Sequence, residues 1–96
     1  MLENKFKTKL VNEIEDMFPG CMVLHMDPTE IQGIPDLLIL HKDRWAALEG
    51  KKSAGAAHRP NQGYYVDKMD EMSFARFIYP ENKEEVLDEL REAFRS

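Results

Sequence analysis

Ninety-six residues, 43% of them apolar and 32% charged, are enough for one modest core and leave no room for a second. The formal net charge of −5 excludes a uniformly basic nucleic-acid binder, and no apolar run approaches the roughly 18–20 residues of a membrane span. The sole cysteine, Cys21, cannot form an internal disulfide, which fits a reducing cytoplasm, and the first residues, Met1 to Phe6, lack the apolar block of a secretory signal.

From Glu3 to Phe18, the residues Phe6, Leu10, Val11, Ile14, Met17 and Phe18 recur at the spacing of one helical face, and Pro19-Gly20 ends that helix. Cys21 to Met26 is too short for a helix and predicts a strand. Pro35 to His41, rich in Leu and Ile, predicts a buried strand. A tight turn over Lys42-Asp43-Arg44 then returns the chain as Trp45 to Lys51, completing an antiparallel hairpin. Ser53 to His58 reads as a loop. Pro60 fits the first turn of a helix reaching about Met72, with Tyr64, Tyr65, Lys68, Met69 and Met72 as its face. Phe74 to Tyr79 predicts a strand, and Glu81 to Phe94, with Val86, Leu87, Leu90 and Phe94 on one stripe, a last helix. The order is αβββαβα in one domain over residues 1–96.

Charge is spread unevenly along these elements. Residues 41–68 hold six basic groups against three acidic ones, a local +3 that leaves −8 for the remainder. A basic middle in an acidic chain is permissive for DNA.

Residues two apart in a strand share a face, so Glu49 and Lys51 project together while Gly50 turns away. With the turn near Asp43, position 36 pairs with about position 50, which brings Asp36 within reach of Glu49. Two carboxylates and a lysine at the end of an apolar hairpin are costly without a counter-ion. A hard divalent cation held by Asp36, Glu49 and the Gly50 carbonyl resolves the conflict, and such an ion can activate a water toward a phosphodiester. Lys51 would then stabilise the developing charge or help deprotonate the water.

The segments Gly33-Ile34-Pro35-Asp36, Glu49-Gly50-Lys51 and Pro60-Asn61-Gln62 resemble the VRR-NUC branch of the P-D-(D/E)-x-K nucleases. The resemblance runs from about Glu3 to Tyr79. It implies a restriction-endonuclease-like αβββαβ core, here followed by a C-terminal helix, with a mixed central sheet flanked by helices. It also implies a Mg²⁺-dependent endonuclease, with Mn²⁺ able to substitute, acting on four-way or related branched DNA as a homodimer. Stand-alone members are typically phage or prophage encoded, which places them in a bacterial host cytoplasm. By the same resemblance Gln62 positions Lys51 or a metal-bound water, and Glu3 on the first helix is an accessory acid and metal ligand, with Glu13 as fallback. The x of E-x-K, often apolar in this branch, is Gly50 here. Lys52, His58 and Arg59 are the candidates for phosphate contact. The competing readings are a nuclease of flaps, nicks or forks on the same fold, and a non-catalytic DNA-binding phage protein.

The remaining residues have plainer expectations. His25, His41 and His58 are scattered without zinc spacing. Trp45, Tyr64 and Tyr65 are expected to pack, and the six methionines to fill core gaps or an interface.

Overall fold

The computed structural model describes residues 2–58 and 60–95, with side chains described from Lys5 onward. It contains α1 (Leu2–Met17), β1 (Met22–His25), β2 (Leu37–His41), β3 (Arg44–Gly50), α2 (Gln62–Met72), β4 (Ala75–Ile78) and α3 (Lys83–Arg95). The expected αβββαβ core with a C-terminal helix is what the chain forms. The four strands make one mixed sheet in the order β1-β2-β3-β4, with β1/β2 and β2/β3 antiparallel and β3/β4 parallel. No described helix is long and apolar enough to cross a membrane.

Strand alternation divides the core in two. On one face Leu37, Ile39, Ala46, Leu48 and Ile78 cluster with Leu10, Ile14 and Phe18 from and just after α1, and with Val86, Leu87, Leu90 and Phe94 of α3. Most of these side chains are fully buried, and each apolar side chain removed from water contributes about 1.5–3 kcal/mol. On the other face Ala47 and Ala75, with Leu38, Trp45 and Phe77, meet Val66 and Met69 of α2. The alanines let α2 lie close to β3 and β4, and Trp45 packs as expected.

The two central strands turn more tightly than the sequence suggested. His41 pairs with Arg44, so only Lys42 and Asp43 form the turn, with Lys42 at φ 58°. Arg44 belongs to β3. The pairing therefore shifts by one residue, and continuing it one step beyond Leu37↔Leu48 sets Asp36 opposite Glu49 rather than Gly50.

Two helix starts also move inward. Asn61 adopts a left-handed φ of 71°, so Pro60 lies before α2 and the helix begins at Gln62. The expected apolar face of α2 is corrected as well. Tyr64 and Met72 are 61% and 64% exposed and Lys68 is exposed, while Gln62 and Val66 are buried. At α3, Asn82 accepts from the Tyr79 amide at 2.9 Å and donates to the Phe77 carbonyl at 3.0 Å, closing the turn that feeds the helix at Lys83.

Candidate active site

The open end of the β2–β3 hairpin gathers the charged residues. Asp36 Oδ1 accepts a hydrogen bond from the Gly50 amide at 3.2 Å, and the Asp36 carbonyl accepts from the Met26 amide at 2.8 Å. These bonds hold the residue between its two neighbouring strands. Glu49 and Lys51 follow the alternation onto the α2 face, 6% and 8% exposed. The Lys51 amide donates to the Ile78 carbonyl of β4 at 2.8 Å, so the end of β3 is supported from both sides.

Gln62 links Glu49 of β3 to Lys51, which follows the strand. Its Nε2 donates to Glu49 Oε2 at 3.1 Å, and its Oε1 accepts from Lys51 Nζ at 2.5 Å. Lys51 Nζ also donates to the Ala57 carbonyl at 3.2 Å. The amide thus satisfies a carboxylate with one end and an ammonium with the other, which fixes both rotamers. The same lysine tethers the 52–58 loop, which gains a second tie where the Ala54 amide donates to Glu81 Oε2 at 3.4 Å.

Gly33 positions the start of α2. At φ 91° it sits against Pro60 and Asn61 so closely that an added Cβ would stand 2.7 Å from Asn61 backbone and side-chain carbons. A side chain here collides with backbone and would also demand a left-handed conformation. Gly33→Ala is expected to lower stability by about 1–2 kcal/mol in denaturant unfolding and to displace Gln62.

Lys7 is the residue that sequence reasoning missed. Its ammonium forms an ion pair with Asp36 Oδ2, an oxygen that accepts no hydrogen bond of regular geometry. The Lys7 stem crosses directly over Gly50, where a Cβ would lie 3.0 Å from Lys7 Cε and 3.3 Å from Cγ. A glycine in the middle of E-x-K is what leaves room for that crossing. The available signal was Lys7 itself, three and seven residues before the buried Leu10 and Ile14 and so on their stripe.

Burial beside a second carboxylate raises the Glu49 carboxyl from 4.5 to about 7. Burial is the largest cause and the Asp36 carboxylate the next, eased by Lys51, Lys7 and the Asp36 backbone amide. The anionic groups lining the cleft are the two carboxylates of Asp36 and Glu49, and their repulsion is what a hard divalent ion relieves. Among the described residues no group of three or more His, Cys, Asp or Glu gathers at one point. A metal here would therefore rest on Asp36 and Glu49, which suffices for an ion that keeps most of its waters.

These residues open onto a cleft of about 710 Å³, lined by Lys7, Asp36, Glu49, Lys51, Lys52 and Gln62 and walled by the 26–34 segment. Lys52 is exposed at its edge. His58 does not line the cleft but stands beside it, exposed, its imidazole stacked on Phe77, the β4 partner of Glu49, with centroids 4.1 Å apart and planes at 15°. Arg59 and the Glu3 side chain lie outside the described residues. The fallback Glu13 is not part of the site: its two oxygens lie 3.1 and 2.9 Å from Lys83 Nζ, tying α1 to α3.

Compared with known proteins, the chain matches no family model, no curated protein and no solved structure.

Proposed function

We propose that this chain is a divalent-metal-dependent endonuclease acting on DNA, in the manner of the VRR-NUC branch that its motifs resemble. The observation that carries the reading is the convergence of Asp36, Glu49, Lys51 and Gln62, from two strands and a helix start, in one polar cleft. Isolated E-x-K pairs are common on solvated strands, but this pair is buried and bridged.

Asp36 and Glu49 would hold Mg²⁺ or Mn²⁺, with the Gly50 carbonyl as the further candidate ligand. Such an ion, when bound, supplies an activated water and neutralises charge on a scissile phosphate. Lys51 places a fixed ammonium in the cleft for the charge that develops on the phosphate oxygens. Gln62 acts through Lys51 and Glu49 and is a positioning residue. Lys52 at the cleft edge is suited to hold a flanking phosphate. Branched DNA as the substrate and a homodimer as the active form follow from the resemblance; two symmetric cuts require two sites.

The test is cleavage of four-way junctions, flaps, nicked duplex and plain duplex with Mg²⁺, Mn²⁺ or Ca²⁺, alongside solution mass. The expected result is Mg²⁺- or Mn²⁺-dependent cutting favouring the junction, absent in Asp36→Ala. Binding of junction DNA with no cleavage under any metal would favour a non-catalytic DNA-binding protein, and preference for flaps or nicks would move the substrate within the same chemistry.

A further inference from the structure

We propose that Lys7 is a built-in counter-ion of the metal site, competing with the divalent ion for Asp36 and so setting how tightly the site loads. The inference rests on the metal-site reading above and adds a residue that the motif does not contain. Three observations carry it. The Lys7 ammonium forms an ion pair with Asp36 Oδ2, the oxygen left without a regular hydrogen bond because Oδ1 takes the Gly50 amide. The pair is only 25% and 18% exposed, so water screens it little. The stem is seated against Gly50, where an added Cβ would lie 3.0 Å from Lys7 Cε.

An ion pair and a metal ligand make opposite demands on one carboxylate oxygen. A cation that takes Asp36 Oδ2 must displace the ammonium, and the cost of separating the pair is subtracted from its binding free energy. Lys7 also lies close enough to Glu49 to favour that group's ionised form, so it compensates both carboxylates while no metal is bound. Removing the Lys7 charge leaves Lys51 to compensate the metal-free site and opens Asp36 Oδ2 to the divalent ion. With Lys7 in place the site therefore loads more weakly than the same carboxylates would without it.

The test is Mn²⁺ binding without DNA, followed by titration calorimetry and by the Mn²⁺-induced rise in melting temperature. The expected result is that Lys7→Met binds Mn²⁺ about fivefold more tightly than wild type. Its melting temperature should be lower without metal and rise further with it. Adding Asp36→Asn should remove the gain, because the two substitutions act on one contact. Lys7→Gln repeats the measurement with a polar stem should the methionine variant fold poorly, and circular dichroism checks both. Equal or weaker binding in the folded Lys7 variants, at a site that Asp36→Asn abolishes, would overturn the role of Lys7 while leaving the metal site standing. No Asp36-dependent Mn²⁺ binding in any protein would overturn both.

Discussion

Lys51→Met is expected to lower the rate constant of metal-dependent DNA cleavage by about a hundred- to thousandfold, the usual loss when one fixed electrostatic group is removed from a site. The effect should fall on kcat rather than KM, because Lys51 is buried at the floor of the cleft while the exposed Lys52 stands at its edge. Asp36-dependent Mn²⁺ binding should persist. Lys51→Arg should not rescue the rate, since a planar guanidinium cannot occupy the position fixed by Gln62 Oε1 at 2.5 Å and the Ala57 carbonyl at 3.2 Å. Both acceptors lose their donor in Lys51→Met, at about 1–2 kcal/mol of stability, so the rates must be measured well below the melting temperature. A variant that is folded and keeps a tenth or more of the wild-type rate would remove Lys51 from the chemistry.

Glu49→Gln is expected to stabilise the metal-free protein by about 2 kcal/mol at pH 8 and by almost nothing at pH 4. The sign follows from the direction of the shift. The carboxyl rises from 4.5 to about 7 on folding, so the native state binds the extra proton. Its contribution to stability is fully present below about pH 4.5 and is lost as pH climbs through 7. A glutamine mimics the protonated form and keeps an acceptor for Gln62 Nε2. In a chain of this size the difference corresponds to about 8–16 °C in melting temperature. Saturating Mg²⁺ should reverse the order at pH 8, because the ion stabilises only the protein that retains the carboxylate. Parallel pH–stability curves for the two proteins would show that Glu49 titrates normally and bears no strain.

The parts of this molecule legible in the sequence are those governed by local periodicity. The β2–β3 hairpin follows from its Leu and Ile content, and the shared face of Glu49 and Lys51 from strand alternation. What local pattern does not encode is how many residues a turn consumes. The charged run Lys42-Asp43-Arg44 suggests a three-residue turn, yet Arg44 pairs with His41, and that single residue moves Asp36 from Gly50 to Glu49. The face of α2 failed for a related reason. Tyr64 and Met72 are apolar enough to suggest a buried stripe, but the helix is rotated so that Gln62 enters the site and Val66 meets Ala47 and Ala75. The azimuth of a helix on a sheet is set by the partner's small residues, which lie far away in sequence. The sequence alone gives Lys7 no distinction, because a lysine on a helix is by default a solvated group. Only beside Gly50 does its position on the Leu10 and Ile14 stripe become informative.

The hydrogen bonds joining Asp36, Glu49, Gly50, Lys51 and Gln62 span only 11 to 14 residues of chain. With Gly33 as the support for α2, the side-chain hydrogen bonds among the cleft residues fall within one contiguous stretch, 33–62, to which Lys7 adds an ion pair and Met26, Ile78 and Glu81 add hydrogen bonds from outside. The other elements serve this stretch chiefly through volume: Leu10, Ile14, Val86 and Leu90 need to be apolar and of suitable size, a requirement many residue combinations meet. Mutational drift should therefore be strongly asymmetric. In a saturation library selected for metal-dependent DNA cleavage, α1 and α3 should accept apolar exchanges freely apart from Lys7. The 33–62 stretch should instead behave as a cassette, transferable between scaffolds only if its glycines travel with its charges.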